Sequence, residues 1–459
     1  MTQKKYIISL ILPLIICSAF ILCAAIGMLI YPEAFHKFFS PARLFREIPP
    51  IAPHKSYYWD VEAYAEMAIN PSCKAFYPLW PLIIREIFHP QTIEQAAHYF
   101  LVVATALFFI SNFLLFWVLK IGLQRLYLTF LLVLAYAVNP MAIFRVIGYT
   151  ESLFTTFSII FIWLCLPKLK LNAQIKLCLL FAITLLMTLT RPVLVQIFFA
   201  TTASIFTIIS LEILQQPRYS FWRNLLASIQ KYKYELKMTI TIWLAALLGY
   251  SIYGSFCLRT RGDFFAPFHD QSQWGKTLGL HLELLLFPKS MLFDLFGLYF
   301  PLIILFLSLT FVYLKVIKQQ QNLFIPQYKF WWNILYIYPP LLICVYVFNL
   351  IRFKKIKLQT DLNRFVLSNY SKNLSKNYIF WFSIYFTSAH SIIIFLTQDR
   401  LHSLSRYVFA LPFFYVALGY LYRCLPGKIK YQTLFCFISF SAIALVQQWI
   451  NYGQDKWLG

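Results

Sequence analysis

Charge is the scarcest commodity in this chain. Only 12% of its 459 residues are charged, and acids are rarer still, with 17 Asp and Glu against 40 Lys and Arg. Soluble domains carry about 25% charged residues, so a soluble globular fold is excluded. Several chemical signatures are missing as well. There is no Asp-x-Asp tripeptide and no Gly-rich phosphate loop, and no cytoplasmic segment is long enough for a nucleotide-binding domain. The nine cysteines show neither metal-ligand spacing nor a disulfide framework, and Cys17, Cys23, Cys165, Cys178, Cys344 and Cys436 fall inside apolar runs. His54, His269 and His281 lack ligand spacing, so no metal site is expected.

What is present is apolar surface. Hydrophobic residues make up 60% of the chain and the mean hydropathy is +0.66. Only helices or closed barrels can carry that much into a bilayer, because every backbone polar group must be paired internally. The runs are continuous, without the two-residue alternation of barrel strands, so helices are expected. At roughly 20 residues per span, the spans fall near 7–30, 97–119, 126–146, 150–166, 174–190, 193–213, 238–257, 291–314, 331–350, 378–397, 407–423 and 432–450. The fold class is therefore an all-α polytopic membrane protein of 11–13 transmembrane helices, read as one domain over 1–459.

The net charge of +23 does not point to nucleic acid. Its basic residues flank apolar spans, as with Lys168, Lys170 and Lys176, or Arg218, Arg223, Lys231, Lys233 and Lys237. That is the pattern of positive-inside topology and of contact with anionic headgroups. With Lys4 and Lys5 inside and the first helix retained, segments 31–96 and 258–290 lie outside, whereas 167–176 and 214–237 lie inside. Strict alternation then puts the basic segment 351–377 outside, against its charge, unless 331–350, interrupted by Pro339-Pro340, is re-entrant.

The first outer loop, 31–96, is too polar to span and too aromatic for a linker. It holds a short interfacial helix around Glu33–Phe39, then Trp59-Asp60-Val61-Glu62-Ala63-Tyr64, with Glu66 one turn beyond Glu62. A carboxylate at an aromatic interface is what a general base acting on a sugar hydroxyl requires, since a hydroxyl is a poor nucleophile until a proton acceptor is in reach. Asp60 is the first candidate and Glu62 the second. An ordinary solvated loop acid is the competing account of both.

Four ordered segments resemble the GPI second-mannose transferase family and its prokaryotic homologues. Trp59-Asp60-Val61-Glu62 followed by Phe76-Tyr77-Pro78-Leu79-Trp80-Pro81 resembles its first outer loop. Asn139-Pro140 with Tyr149-Thr150-Glu151-Ser152-Leu153-Phe154 resembles a segment between its third and fourth spans, Gly262-Asp263 with Trp274-Gly275-Lys276 a later outer loop, and Ser405-Arg406-Tyr407 with Pro412 a C-terminal motif. The resemblance implies a GT-C fold and a glycosyltransferase, mannosyltransferase-like, that uses a polyprenyl- or dolichyl-phosphate sugar as donor and a glycolipid or glycan as acceptor. No cofactor is firmly implied. It implies a multi-pass protein of a bacterial inner membrane or the ER, with its active site on the outer or luminal side, and a catalytic base at Asp60. Trp59, Tyr77, Glu151, Arg191, Asp263, Trp274, Lys276, Arg406 and Tyr407 are the matching substrate-binding candidates. Lys276 stands where an Arg is usual, and Arg191-Pro192-Val193-Leu194 lacks the family's Asn-Gly pair, which leaves the sugar and the acceptor open.

Each candidate also has a structural reading. Glu151 can cap a helix N-terminus, Arg406 can snorkel from a span end, Arg191 can serve a helix start beside Pro192, and Trp274 can be an ordinary interfacial Trp. A transporter or flippase of an amphiphilic lipid is the alternative function. It predicts ionisable groups and broken helices near the membrane midplane.

Overall fold

The computed structural model describes residues 3–39, 60–167, 171–215, 221–270, 279–285, 292–312, 374–397, 403–424 and 427–456, with Leu169, Ser272, Leu401 and Leu458 beside them. The expected span 331–350, most of the basic segment 351–377, and Trp59, Trp274 and Lys276 lie outside the described residues. Among the described residues every regular element is helical. In chain order these are α1 (Gln3–Ile30), α2 (Glu33–Phe39), α3 (Asp60–Ile69), α4 (Leu79–Phe88), α5 (Ile93–Leu123), α6 (Leu126–Ala137), a 3-10 segment (Pro140–Arg145), α7 (Glu151–Cys165), α8 (Ala173–Thr190), α9 (Leu194–Gln215), α10 (Phe221–Lys231), α11 (Lys233–Arg261), α12 (Ala266–His269), a second 3-10 turn (Leu282–Leu285), α13 (Leu292–Val312), α14 (Tyr378–Thr397), α15 (Leu404–Phe409), α16 (Phe413–Arg423) and α17 (Gly427–Gly453).

Eight of these helices are long and apolar enough to cross a membrane, and the chain is an all-α polytopic membrane protein. Three expected spans are shorter or broken. The run 126–146 stops as a helix at Ala137, 150–166 yields the 15-residue α7, and 407–423 divides into α15 and α16. Proline explains the first break. Pro140 has no N–H to give the Tyr136 carbonyl four residues back, and inside a bilayer that acceptor cannot be left to water. The Asn139 amide donates to it at 2.5 Å and the Arg145 guanidinium at 2.9 Å. Arg145, fully buried, also stacks on the Tyr136 ring with 3.8 Å from its guanidinium carbon to the ring centre. At the second break the buried carbonyl of Ala410 accepts from the Tyr136 hydroxyl at 2.9 Å and from Thr155 at 3.2 Å. The two breaks are thus tied to each other.

Burial sorts the helices. α1 presents Leu14, Leu22 and Leu29 outward and packs Ile16, Phe20 and Met28 inward beside α17, where Phe20 meets Trp449. By contrast α14 is buried nearly all round, the signature of a helix in the middle of a bundle. It packs between α9, α13 and α16. Its polar side chains repair a neighbour: Pro301 in α13 leaves the Gly297 carbonyl without its helical donor, and Ser391 donates to it at 3.0 Å.

The two expected outer loops meet at one end of the bundle. Cys73, in the first, forms a disulfide with Cys257 near the end of α11. This corrects the expectation of no disulfide framework. The pairing was invisible because one partner sits in a spanning helix and the other 184 residues away in a loop. Around it the Tyr253 hydroxyl lies 2.7 Å from both the Lys74 and Phe76 carbonyls, and Arg261 donates to the Cys73 carbonyl at 3.2 Å while pairing with Asp270 at 2.7 Å.

Candidate functional site

The helix α3 carries the first candidate acid. Val61, Tyr64, Ala65 and Ala68 recur at helical spacing and are buried, so this face lies down on the bundle, against α4 and α5. At 100° per residue, Asp60 and Glu62 fall on opposite flanks of that face. Asp60, the first residue of the helix, meets Arg406 at 2.9 Å. Glu62 shares its flank with Glu66, which pairs with Lys74 at 2.6 Å.

Arg406 reaches two acids at once. Its Nε lies 2.8 Å from a Glu151 carboxylate oxygen, and the same oxygen is 2.9 Å from Arg191. Glu151 is fully buried, Arg191 and Arg406 nearly so. The result is a line of alternating charge, Asp60, Arg406, Glu151, Arg191, contributed by α3, α15, α7 and the turn before α9. Neither Glu151 nor Arg406 behaves as the simple alternatives required: Glu151 begins α7 but spends its carboxylate on arginines, and Arg406 turns into the protein instead of snorkelling. Tyr407 lies beneath both cations, 4.8 Å from the guanidinium of Arg191 and 5.1 Å from that of Arg406. His390 of α14 stacks with the same ring, centres 5.8 Å apart. Burial first, then the nearby Asp60 and Glu151 charges, push the Tyr64 phenol far above its usual range, so it stays a neutral hydroxyl 3.5 Å from Thr150.

The supports of the cluster are as specific as its members. The turn before Glu151 passes through Gly148 with φ of +92°, a conformation side chains resist. A Cβ there would stand 3.3 Å from Phe100 and 3.4 Å from Val61. Its carbonyl accepts from the fully buried Trp80 at 2.9 Å. On the other flank, α15 is short and begins at Ser403 in the left-handed region. The buried Asp294 carboxylate accepts from the Ser405 N–H at 2.8 Å, and Gly297, lacking a side chain, lets the Ser405 backbone come that close. Asp294, Arg145 and Gly148 escaped the sequence reading. A lone arginine inside the apolar run 126–146 was the available signal, since intramembrane charge is expensive and rarely idle.

Other candidates lie elsewhere. Tyr77 packs on Tyr253 in the disulfide clamp, ring centres 5.1 Å apart. Asp263 bonds His269 at 2.8 Å, and that bond holds its carboxyl below the usual range. Among the described residues no group of three His, Cys, Asp or Glu side chains converges to hold a metal. Beside α15 a crevice of about 60 Å³ is lined by Asn139, Phe296, Phe300, Phe409, Phe437 and Phe440 among others.

No family model matches the chain, and no curated protein matches it. Among solved structures it is similar to the oligosaccharyltransferase of Archaeoglobus fulgidus, determined tethered to an acceptor peptide containing the NVT sequon through a disulfide bond. The identity is 12% and the TM-score 0.39, over 97% of this chain and 55% of that one. The chain thus spans about half the length of that protein. A likeness at this level carries no argument about activity.

Proposed function

We propose that the protein is a GT-C type membrane glycosyltransferase, mannosyltransferase-like, that moves a sugar from a polyprenyl- or dolichyl-phosphate donor to a hydroxyl of a glycolipid or glycan on the outer or luminal side. The observation that carries the reading is the contact of Asp60 with Arg406 in a cluster that also holds Glu151, Arg191 and Tyr407. Three separate segments of family resemblance meet there, which neighbours in sequence alone would not require.

The chemistry follows from the charges. The planar forks of Arg406 and Arg191 suit a phosphate bidentately. Arg406 is paired with Asp60. A donor phosphate competing for Arg406 releases the Asp60 carboxylate, which then accepts the proton of the acceptor hydroxyl as its oxygen attacks the sugar C1. The C1–O bond to phosphate breaks and the lipid phosphate leaves on the arginines. Glu151, fully buried, holds the two arginines side by side. The Cys73–Cys257 disulfide supports an outer or luminal location for this end of the bundle, because disulfides persist in oxidising compartments.

The transporter reading retains one supporting observation, the proline-broken segments at Pro140 and Pro412 with charge buried beside them. One experiment separates the two. The purified protein is incubated with polyprenyl-phosphate mannose or glucose and lipid extract of the source cell, and products are read by mass spectrometry. Sugar appearing on new lipid or glycan supports the enzyme. Intact donor moving across proteoliposomes without transfer supports the transporter.

A further inference from the structure

The helix α10 lies between two spanning helices, α9 and α11, and is too short to span. At 100° per residue, Phe221, Leu225, Ile229, Trp222 and Leu226 fill a continuous arc of about 140°. Trp222, Leu226 and Phe221 are 71%, 63% and 61% exposed. Such a patch is out of place on a surface facing water. The C-terminal end of the helix is fixed: Lys231 and Tyr232 both bond Glu212 of α9, at 2.5 and 3.0 Å, and Lys376 joins the same carboxylate at 3.2 Å. The helix therefore cannot roll its apolar arc away from where it points.

Its side of the membrane can be read from the opposite end of α11. That helix runs from Lys233 to Arg261, with the disulfide at Cys257. At 1.5 Å per residue, Lys233 lies about 36 Å from Cys257 along the axis, more than the hydrocarbon thickness. An oxidising compartment at Cys257 places α10 on the cytoplasmic face, whose leaflet carries the negative surface potential. Arg223, Lys233 and Lys237 are exposed there, with Glu235 the acid among them. An amphipathic helix lying in the interface plane with a Trp/Phe/Leu face and basic flanks has the attributes of a lipid anchor.

We propose that α10 is an in-plane anchor whose Phe221, Trp222 and Leu226 face enters the cytoplasmic leaflet, while Arg223, Lys233 and Lys237 select anionic phospholipid headgroups. The reading is independent of the proposed catalysis. It is tested on the full chain in proteoliposomes of phosphatidylglycerol and phosphatidylcholine. Spin labels go at Ile229→Cys and Ala227→Cys, on opposite sides of the helix, with only Cys73 and Cys257 retained of the native cysteines. The Ile229 label should be open to oxygen and shielded from an aqueous nickel chelate, and the Ala227 label the reverse. An Ile229 label open to nickel, or shielded from both reagents by a protein surface or a second copy, overturns the anchor. A second arm keeps all native cysteines and weighs phosphatidylglycerol against phosphatidylcholine retained on purification. Replacing Arg223, Lys233 and Lys237 by Gln should lower that enrichment by at least the roughly fivefold expected for the loss of a single surface cation. Unchanged enrichment overturns headgroup selection.

Discussion

Glu151→Gln tests the charged line at its most buried point. The carboxylate is fully buried and lies 2.9 Å from Arg191 and 2.8 Å from Arg406. The substitution keeps the shape and removes the charge. Arg406 retains Asp60, but among the described residues Arg191 is left with the rings of Tyr407 and Phe154, at 4.8 and 5.7 Å. Breaking a buried pair costs about 3–5 kcal/mol because a desolvated charge is stranded. Glutamine keeps one carbonyl oxygen able to accept from an arginine, so about 3 kcal/mol is expected. The assay is SDS-induced unfolding in mixed micelles, followed by tryptophan fluorescence. Arg191→Gln alone and the double variant complete a cycle. The double variant should cost less than the sum of the singles by about 1–3 kcal/mol, since the second change removes the charge that the first stranded. A loss under about 0.5 kcal/mol for Glu151→Gln, or strict additivity, refutes the buried ion pair as described.

Arg406→Lys keeps the charge and loses the fork that reaches Asp60 and Glu151 together, so transfer should fall mainly through a raised KM for the lipid-linked donor; an unchanged KM removes Arg406 from phosphate binding. Cys73→Ser should destabilise the protein by about 2–4 kcal/mol, below the roughly 5 kcal/mol chain-entropy value for so long a loop, because spanning helices already confine the unfolded chain. Non-reducing mass spectrometry without a Cys73–Cys257 linked peptide would contradict the pairing itself. A cysteine placed at Asp263 should react with an impermeant thiol reagent applied on the side opposite the N-terminus, and labelling only after lysis would reverse the topology.

Much of the scaffold was legible because hydropathy reports directly on membrane span. The run 378–397 coincides with α14, and 291–314 and 432–450 differ from α13 and α17 only at their ends. Hydropathy failed where hydrogen bonding decides. Residues 126–146 are apolar enough to be one helix, yet Pro140 removes a donor, and Asn139 and Arg145 replace it with side-chain bonds that permit a turn. In the site, Asp60, Glu151, Arg191, Arg406 and Tyr407 were all named from sequence, but their alternation of charge was not. Nor was the different environment of Asp60 and Glu62: two residues apart on a helix, they face different ways, and Asp60 takes the side of Arg406.

The central claim is that Asp60 serves as the base in sugar transfer from a lipid-linked donor. It is tested most directly by comparing the wild-type protein with Asp60→Asn, and with Glu62→Gln as the matched control. The assay uses polyprenyl-phosphate mannose, equal amounts of folded protein and product detection by mass spectrometry. The account predicts transfer by the wild type, a loss of about 10²–10⁴-fold in Asp60→Asn, and a much smaller loss in Glu62→Gln. Wild-type turnover in Asp60→Asn, or the larger loss falling on Glu62→Gln, would contradict it.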